Sequence, residues 1–397
     1  MTDISTLVKN HKPGFSLEQA FYRDAEIYER EIERIFLKTW LYVGHDSQIP
    51  KAGDYFLFEI ADESVIITRD KGGDIHALVN VCRHRGSRVC LESKGSQRVL
   101  VCPYHAWSYD LSGRLRSAGQ AGSDFDKQNL GLKRLWVRLL HGLIFINFAD
   151  DPVSFDPIEH ELATRLKPYG LDRAKVAHEA SYPIRANWKL AVENYCECYH
   201  CRPSHPEYSR SHSLAAPEGK HQELWNRIRE DVRSVGLSTD EFSHTYTNAD
   251  AIGNERSFEH YPLLEGFQTG SEDGKPVAPL LGELKHFAGV ATDVQIGSLT
   301  FYLAYVDHVV SYRFIPTSPH ESRCDISWLV NAEAEEGKDY DLENLIWLWD
   351  VTTIADKRII ENNQEGINSR FYVPGPYVEM EEPTMQFVDW YLRCMQD

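Results

Sequence analysis

The sequence has no apolar run long enough to cross a membrane. A spanning helix needs about 20 consecutive apolar residues, whereas the most apolar stretch, residues 135–148, is interrupted by Arg138 and His141. The N-terminus carries Asp3 and Lys9 but no apolar segment of the kind found in a secretory signal. We therefore expect a soluble, cytoplasmic protein that does not bind membranes.

Positive charge is also scarce. The 397 residues include 42 Lys and Arg against 60 Asp and Glu, a net charge of −18, which argues against a nucleic-acid-binding protein. Eight cysteines are too few for a disulfide scaffold in a chain of this length. No Gly-x-Gly-x-x-Gly motif follows a predicted strand, so we do not expect the chain to bind a flavin or nicotinamide itself.

The apolar and aromatic content, 42% and 12%, is sufficient for a folded core. Residues 17–40 show the apolar spacing of a helix, and Ser16 is a candidate cap. From 40 to 148, short β-type runs alternate with Gly- and Asp-rich turns, which predicts a small all-β domain. The segment 149–152, Ala-Asp-Asp-Pro, is typical of a domain boundary.

Beyond this boundary the patterns are mixed. Helical spacing occupies residues 155–168, 187–201 and 341–363, and strand-like alternation occupies 297–306, 309–315 and 323–331. Residues 216–292 are rich in Gly, Pro and charge, and we interpret them as long loops with short helices.

The strongest motif is Cys82-Arg-His84, followed after seventeen residues by Cys102-Pro-Tyr-His105. Each pair follows a β-type run, so two loops each offer one thiolate and one imidazole. A tetrahedral zinc ion could use these ligands, although zinc sites usually pair like ligands. Cys-x-His with Cys-x₂-His is the set that a Rieske [2Fe–2S] cluster requires. The sequence favours the cluster and leaves zinc as the alternative.

Basic residues are concentrated around this motif. Between residues 81 and 120 there are seven basic side chains and two acidic ones, a local charge of +5. The basic side chains are Arg83, Arg85, Arg88, Lys94, Arg98, Arg114 and Arg116. They are either ordinary solvated loop residues or a docking surface for an acidic electron donor.

A second set of metal-ligating residues lies in the predicted helix 187–201. Glu193, Glu197 and His200 are spaced i, i+4 and i+7, so a helix would place them on one face. His205 follows five residues later, past a predicted helix break, and could share an ion with His200.

Two histidines need a carboxylate partner, and the predicted helix 341–363 offers Asp350, Asp356 and Glu361. Two His and one carboxylate form the ligand set of non-heme Fe(II) oxygenases. Cys196, Cys198 and Cys201 would point in different directions on a helix, and we interpret them as packing residues rather than ligands.

Together these motifs resemble the Rieske non-heme iron oxygenases, the ring-hydroxylating type of oxygenase α subunit. The resemblance rests on the cluster motif and on Asn187-Trp-Lys, Glu193-Asn194 and Tyr-His200-x₄-His205, and it extends over nearly the whole chain. It implies that Cys82, His84, Cys102 and His105 hold a [2Fe–2S] cluster. It also implies that His200, His205 and Asp356 hold mononuclear Fe(II), because Asp356 precedes an Ile-Glu-x-x-Gln-x-Gly motif.

The resemblance further implies an α+β fold. A helical segment, 1–40, would pack on the catalytic domain, a small all-β Rieske domain would occupy 41–150, and a catalytic domain, 151–397, would hold an antiparallel sheet covered by helices. Members of the family take electrons from a separate NAD(P)H-dependent flavin/iron–sulfur reductase and form head-to-tail homotrimers. In the trimer a carboxylate connects one protomer's cluster to the neighbouring iron, and Glu197 takes this role here. Asn194 joins it as the second predicted catalytic residue.

Most ring dioxygenases have Asp at the connecting position, whereas Glu197 lies within Asn194-Tyr-Cys-Glu-Cys-Tyr-His-Cys. This context resembles the subgroup that oxidises quaternary ammonium compounds such as carnitine and betaines. It implies C–H hydroxylation by O₂, leading to N-demethylation or C–N cleavage of a small cation. We expect one or two of Phe301, Tyr302 and Tyr305 to line the substrate pocket. Aromatic-ring hydroxylation or dioxygenation remains an alternative, and so does a Rieske electron-transfer protein without mononuclear iron.

Overall fold

The computed structural model describes residues 3–119, 125–213 and 221–396. The chain divides into two compact units, one of residues 41–152 and one that combines residues 1–40 with 153–397. In the described part of the chain, none of the helices has both the length and the apolar character that a bilayer span requires.

The smaller unit is built from antiparallel strands in three sheets. The sheet orders are β4-β3-β2-β5, β6-β7-β8 and β1-β10-β9. The strands are β1 (Leu41–His45), β2 (Asp54–Ile60), β3 (Glu63–Arg69), β4 (Ile75–Val79), β5 (Lys94–Ser96), β6 (Leu100–Val101), β7 (Ser108–Tyr109), β8 (Leu115–Ser117), β9 (Trp136–Leu140) and β10 (Leu143–Asn147). Ile66, Leu78, Leu100 and Tyr109 are fully buried in the core of this unit, which fixes the loops that follow β4 and β6.

The larger unit contains a seven-stranded antiparallel sheet with the order β11-β17-β16-β15-β14-β13-β12. Its strands are β11 (Ala174–Ile184), β12 (Phe242–His244), β13 (Arg256–Pro262), β14 (Val290–Ile296), β15 (Thr300–Ala304), β16 (Val309–Ser318) and β17 (Glu321–Asn331). The longest pairings join β11 to β17 and β16 to β17.

Helices of the larger unit pack on this sheet and on each other, and α4 contacts β16, β17 and α8. The α-helices are α1 (Ile4–Asn10), α2 (Ala25–Glu31), α3 (Asp156–Leu166), α4 (Trp188–Tyr195), α5 (Cys201–Ser204), α6 (Pro206–Ser209), α7 (His221–Val235), α8 (Leu342–Ile367) and α9 (Glu382–Met395). The predicted α+β class, with a small all-β domain and a larger domain in which helices cover an antiparallel sheet, is confirmed.

Several local predictions were wrong. The segment predicted as one helix is instead a 3₁₀ turn, α2 and a π-helical turn at Ile32–Phe36. Asp24 caps α2, because its side chain accepts the amides of the first turn, whereas Ser16 bonds Tyr372 and Gly375. The segment interpreted as loops with short helices contains the 15-residue helix α7, the strands β12 and β13, and the first three residues of β14.

A buried ionic cluster fastens α2 to α4. The Glu31 carboxylate is fully buried, accepts hydrogen bonds from Trp188 Nε1 at 2.7 Å and Tyr391 Oη at 2.6 Å, and pairs with the fully buried Lys189 ammonium. Burial lowers the pKa of Lys189 more than the charge of Glu31 raises it. The ammonium therefore depends on Glu31 to remain charged in the core.

Glu31→Ala is expected to lower the free energy of unfolding by about 3–5 kcal/mol, because it leaves a buried charge without a partner. Urea unfolding followed by tryptophan fluorescence would measure the change. Glu29→Ala, on the exposed side of the same helix, should change the unfolding free energy by less than about 0.5 kcal/mol. An equal loss in both variants would contradict the role of the cluster.

Candidate metal centres

Two loops of the smaller unit have the same backbone conformation. The Gly86 amide donates to the Cys82 carbonyl at 3.0 Å, and the Ala106 amide donates to the Cys102 carbonyl at the same distance. Gly86 and Ala106 both have positive φ, +80° and +55°, which an L-residue such as Ala106 adopts only where the surroundings impose it. The two loops therefore place Cys82 and Cys102 at equivalent positions of the same turn, with the histidine two residues later in one loop and three residues later in the other.

The four predicted cluster ligands are brought together by these loops. The Cys82 and Cys102 thiols are 3% and 2% exposed, whereas His84 and His105 are exposed and have ring centroids 4.6 Å apart. The Tyr109 hydroxyl lies 3.2 Å from Cys82 Sγ. The thiols thus face inward and the imidazoles face outward.

This arrangement fits a two-iron cluster better than a single ion. In the described chain these four residues do not form a group whose ligand atoms lie within 4.8 Å of one another. Burial raises the pKa of the Cys102 thiol, but hydrogen bonds from the amides of Tyr104 and His105, among others, outweigh it and lower the pKa. Amides directed at a sulfur favour its thiolate form, which is the form that ligates iron.

The second centre lies where α4 ends. α4 stops at Tyr195, and α5 begins only at Cys201, so the predicted helix through 201 was wrong. Glu193, Glu197 and His200 therefore do not share a helix face. Glu193 instead accepts the Tyr22 hydroxyl at 2.9 Å.

A turn between the two helices places Glu197 and His200. The Glu197 carboxylate accepts the amides of Tyr199 and His200, and its Oε1 lies 2.6 Å from His200 Nδ1. Because this bond holds the proton on Nδ1, Nε2 of His200 is left free to bind a metal. Asn194 Nδ2 lies 3.4 Å from the same Nε2.

His200, His205 and Asp356 converge on one point. Asp356 Oδ1 lies 3.2 Å from His200 Nε2 and 2.8 Å from His205 Nε2, and the ligand atoms of all three lie within 4.8 Å of one another. Burial lowers the pKa of His200, but hydrogen bonds to Asp356 and Glu197 outweigh it and raise the pKa to about 9. Two imidazoles and one carboxylate in such proximity fit a non-heme iron ion.

Spacing on α8 alone left three carboxylates open, the resemblance implied Asp356, and the structure distinguishes the contacts of the three. Asp350 accepts the Tyr182 hydroxyl at 2.6 Å. Glu361 pairs with Arg185 at 2.8 Å. Only Asp356 of the three faces the histidines.

A cavity of about 520 Å³ includes the triad in its wall. Phe301 lines it and stacks on Tyr195 with ring centroids 4.4 Å apart. Tyr302 and Tyr305 are not among the described lining residues, and the Tyr305 hydroxyl instead bonds His212 Nε2 at 2.7 Å. Of the three predicted aromatic residues, Phe301 is the one at the cavity.

Two features of this cavity were not predicted from the sequence. Cys198 and Cys201, interpreted as separate packing residues, form a disulfide on either side of His200. Their Cys-x-x-Cys spacing was the available signal. Glu259 and Asp293 also line the cavity. The signal for Asp293 was an acid in the middle of a mostly apolar strand, whereas the strand of Glu259 is mixed and gave no such signal.

A fold with twin Cys/His loops and a two-histidine, one-carboxylate triad defines a Rieske non-heme iron oxygenase, an oxidoreductase. The family comparisons agree. Residues 39–129 match the Rieske [2Fe-2S] domain, and residues 171–397 match the ring hydroxylating alpha subunit catalytic domain. The chain belongs to this family, whose cofactors are a Rieske [2Fe–2S] cluster and a mononuclear iron ion.

Two of the similar proteins align with nearly the whole chain, and a third with about half of it. The glycine betaine monooxygenase oxygenase subunits of Pseudomonas aeruginosa and Chromohalobacter salexigens are 36% and 37% identical. Both alignments cover 98% of this chain, with 91% and 88% of the respective relatives. The Escherichia coli carnitine monooxygenase oxygenase subunit is 32% identical, with coverage of 51% of this chain and 55% of that protein.

Solved structures share the fold. A quaternary ammonium Rieske monooxygenase bound to L-carnitine superposes with a TM-score of 0.70 at 22% identity, covering 98% of each chain. A Rhodococcus naphthalene 1,2-dioxygenase gives a TM-score of 0.68 at 19% identity, covering 99% of this chain and 97% of the other.

Proposed function

We propose that this chain is the oxygenase component of a multicomponent enzyme that hydroxylates a C–H bond next to the nitrogen of a small quaternary ammonium compound. The observation that carries the proposal is the cavity beside the triad, which has a Phe301–Tyr195 aromatic wall suited to a cation. Full-length similarity to two glycine betaine monooxygenase subunits supports it.

The proposed ligands are those that the sequence predicts and the geometry accommodates. Cys82, His84, Cys102 and His105 hold the cluster. His200, His205 and Asp356 hold the iron. When bound, the cluster supplies electrons one at a time and the iron supplies O₂ activation.

Side chains around the triad hold the proposed iron ligands in position. Glu197 fixes the His200 ring, and Asn194 lies beside its free nitrogen. The cavity wall places an N-methyl group near the triad. In the overall reaction O₂, two electrons and two protons convert the C–H bond to C–OH with release of water. The resulting hydroxymethyl ammonium cation loses its hydroxyl proton as its C–N bond breaks, which gives a tertiary amine, an aldehyde and one released proton.

The electrons come from a separate NAD(P)H-dependent flavin/iron–sulfur reductase in this proposal. We also propose a head-to-tail homotrimer in which Glu197 meets the neighbouring protomer's His105 and passes electrons from that cluster. The domain boundaries 1–40, 41–150 and 151–397, and a cytoplasmic location, belong to the same proposal. Sedimentation analysis and cell fractionation test the trimer and the location.

An O₂-uptake assay with a surrogate reductase tests the function. The panel contains betaines, carnitine, choline and simple arenes. We expect uptake with an ammonium compound and stoichiometric aldehyde release. Diol or phenol formation from arenes, with no ammonium compound consumed, would favour ring oxygenation instead. Cluster reduction without any O₂ uptake would favour an electron-transfer protein.

The basic collar, defined as Arg83, Arg85, Arg88 and Arg116, is proposed to dock the reductase. All four side chains are exposed, although Arg88 already pairs with Glu59 at 2.7 Å. Reduction of the cluster should slow as salt rises, because exposed charges are screened beyond about 8 Å at physiological ionic strength.

Arg85→Glu should slow reduction about tenfold at low salt, as expected for the loss of electrostatic steering. Stopped-flow absorbance of the cluster measures the rate. The control is Lys71→Glu, an equal charge change on an exposed hairpin turn of the same unit. If cluster reduction in the unmodified protein did not depend on salt, the docking role would be contradicted and these arginines would be ordinary surface residues.

A further inference from the structure

One face of the larger sheet forms a wall of the cavity. Glu259 on β13 pairs with Asp293 on β14, and Asp293 pairs with Leu303 on β15. Because alternate residues of a strand share a face, these three side chains form one row, and all three line the cavity. The two carboxylates are therefore neighbours in the wall of the same cavity.

No counter-charge accompanies this pair. Neither carboxylate has a side-chain hydrogen bond or ion pair among the described residues, and only burial and neighbouring acids shift the two pKa values. Burial raises the pKa of Asp293 to about 7, and the charge of Glu259 adds to the shift. The described lining residues include four acids, Glu197 and Asp356 being the others, and no Lys or Arg. Both acids are half-buried, and charges withdrawn from water are normally paired, so the two carboxylates point to a cationic ligand.

Three tyrosines, Tyr195, Tyr208 and Tyr261, line the same cavity. Burial raises the pKa values of Tyr195, Tyr208 and Tyr261, and the charge of Asp293 contributes to each shift. Asp293 therefore acts on all three hydroxyls electrostatically, and Tyr195 stacks on Phe301. Aromatic faces together with an anion form a receptor for a quaternary ammonium group.

We propose that Asp293 and Glu259 bind the substrate's ammonium group, and that the substrate is a small organic monocation without a free carboxylate. This inference rests on the proposed function. A zwitterion such as glycine betaine would bring its carboxylate close to these acids, and the described lining residues include no Lys or Arg to pair with it. Of the three lining histidines, His200 and His205 are the proposed iron ligands, and burial lowers the pKa of His212 to about 3. A choline-like alcohol or an ester has no such conflict.

Calorimetric titration of the full-length, metal-loaded protein tests this inference with matched ligands. Choline is compared with its neutral carbon analogue 3,3-dimethylbutan-1-ol, and glycine betaine methyl ester with glycine betaine. We expect choline to bind at least about tenfold more tightly than the neutral alcohol, which lacks the charge-assisted contact. The ester should likewise bind at least about tenfold more tightly than glycine betaine, because the carboxylate of glycine betaine is repelled by the two acids. Asp293→Asn and Glu259→Gln should remove the preference and leave binding of the neutral alcohol unchanged.

Glu321→Gln, an exposed acid on β17 of the same sheet, serves as the control, and the cluster spectrum reports that each variant is folded. Glycine betaine binding as tightly as its ester would overturn the inference. So would an unchanged preference in Asp293→Asn. Oxidation of glycine betaine under those outcomes would leave the proposed function intact. If no ammonium compound binds or is oxidised, the proposed function fails, and this inference fails with it.

Discussion

Asp356→Ala should eliminate the mononuclear iron and leave the [2Fe–2S] cluster in place. Asp356 Oδ1 is the only carboxylate oxygen that lies near both His200 Nε2 and His205 Nε2 among the described residues. Two neutral imidazoles without that anion retain iron poorly. Turnover should fall by more than the roughly 10–100-fold that loss of an outer-shell partner causes.

Iron analysis combined with the visible spectrum and the EPR signal of the reduced protein separates the two sites. The variant should retain the acid-labile sulfide and the rhombic EPR signal of the cluster. Asp350→Asn is the matched control on α8, because its carboxylate accepts Tyr182 and does not face the histidines. Full iron content in Asp356→Ala, or zinc in place of the cluster, would contradict the assignment of ligands.

The ligand sets could be predicted because metal chemistry restricts residue type and spacing. Cys-x-His and Cys-x₂-His are short enough for each pair to occupy one loop, and the structure shows two such loops. The carboxylate ligand was harder to predict from residue spacing, because Asp350, Asp356 and Glu361 all lie on one helix. What distinguishes the three acids is that Asp350 contacts Tyr182 and Glu361 contacts Arg185. Both partners are remote in sequence from α8, so the helix pattern does not reveal these contacts.

The end of α4 could not be read from periodicity. Glu193, Glu197 and His200 keep helical spacing, so the pattern continued past the true terminus at Tyr195. The competing interaction is local, since the Glu197 side chain accepts the amides of Tyr199 and His200. Such bonds offer the backbone an alternative to the helix.

The proximity of the two acids in the cavity could not be predicted, because it follows from the register of two strands. Glu259 and Asp293 are 34 positions apart in the sequence, within a region that showed Gly, Pro and charge but no clear alternation. Only the β13–β14 pairing makes them neighbours. Composition indicated an acidic protein without locating this pair.

Glu197→Gln should keep both metals and lose most of the turnover. The amide retains the size of the side chain but removes the negative charge. That charge holds the proton on His200 Nδ1, which lies 2.6 Å from Glu197 Oε1. Loss of an outer-shell acceptor lowers activity by about 10–100-fold. A larger loss is expected if Glu197 also carries electrons between protomers in the proposed trimer.

A single-turnover experiment separates these two roles. The protein is loaded with both metals, reduced, and mixed with O₂ and substrate while the cluster spectrum is recorded. In Glu197→Gln the cluster should reoxidise far more slowly, whereas Glu365→Gln, an exposed acid on α8, should behave like the unmodified protein. Near-normal reoxidation with poor product yield would show that Glu197 orients His200 but does not carry electrons between protomers.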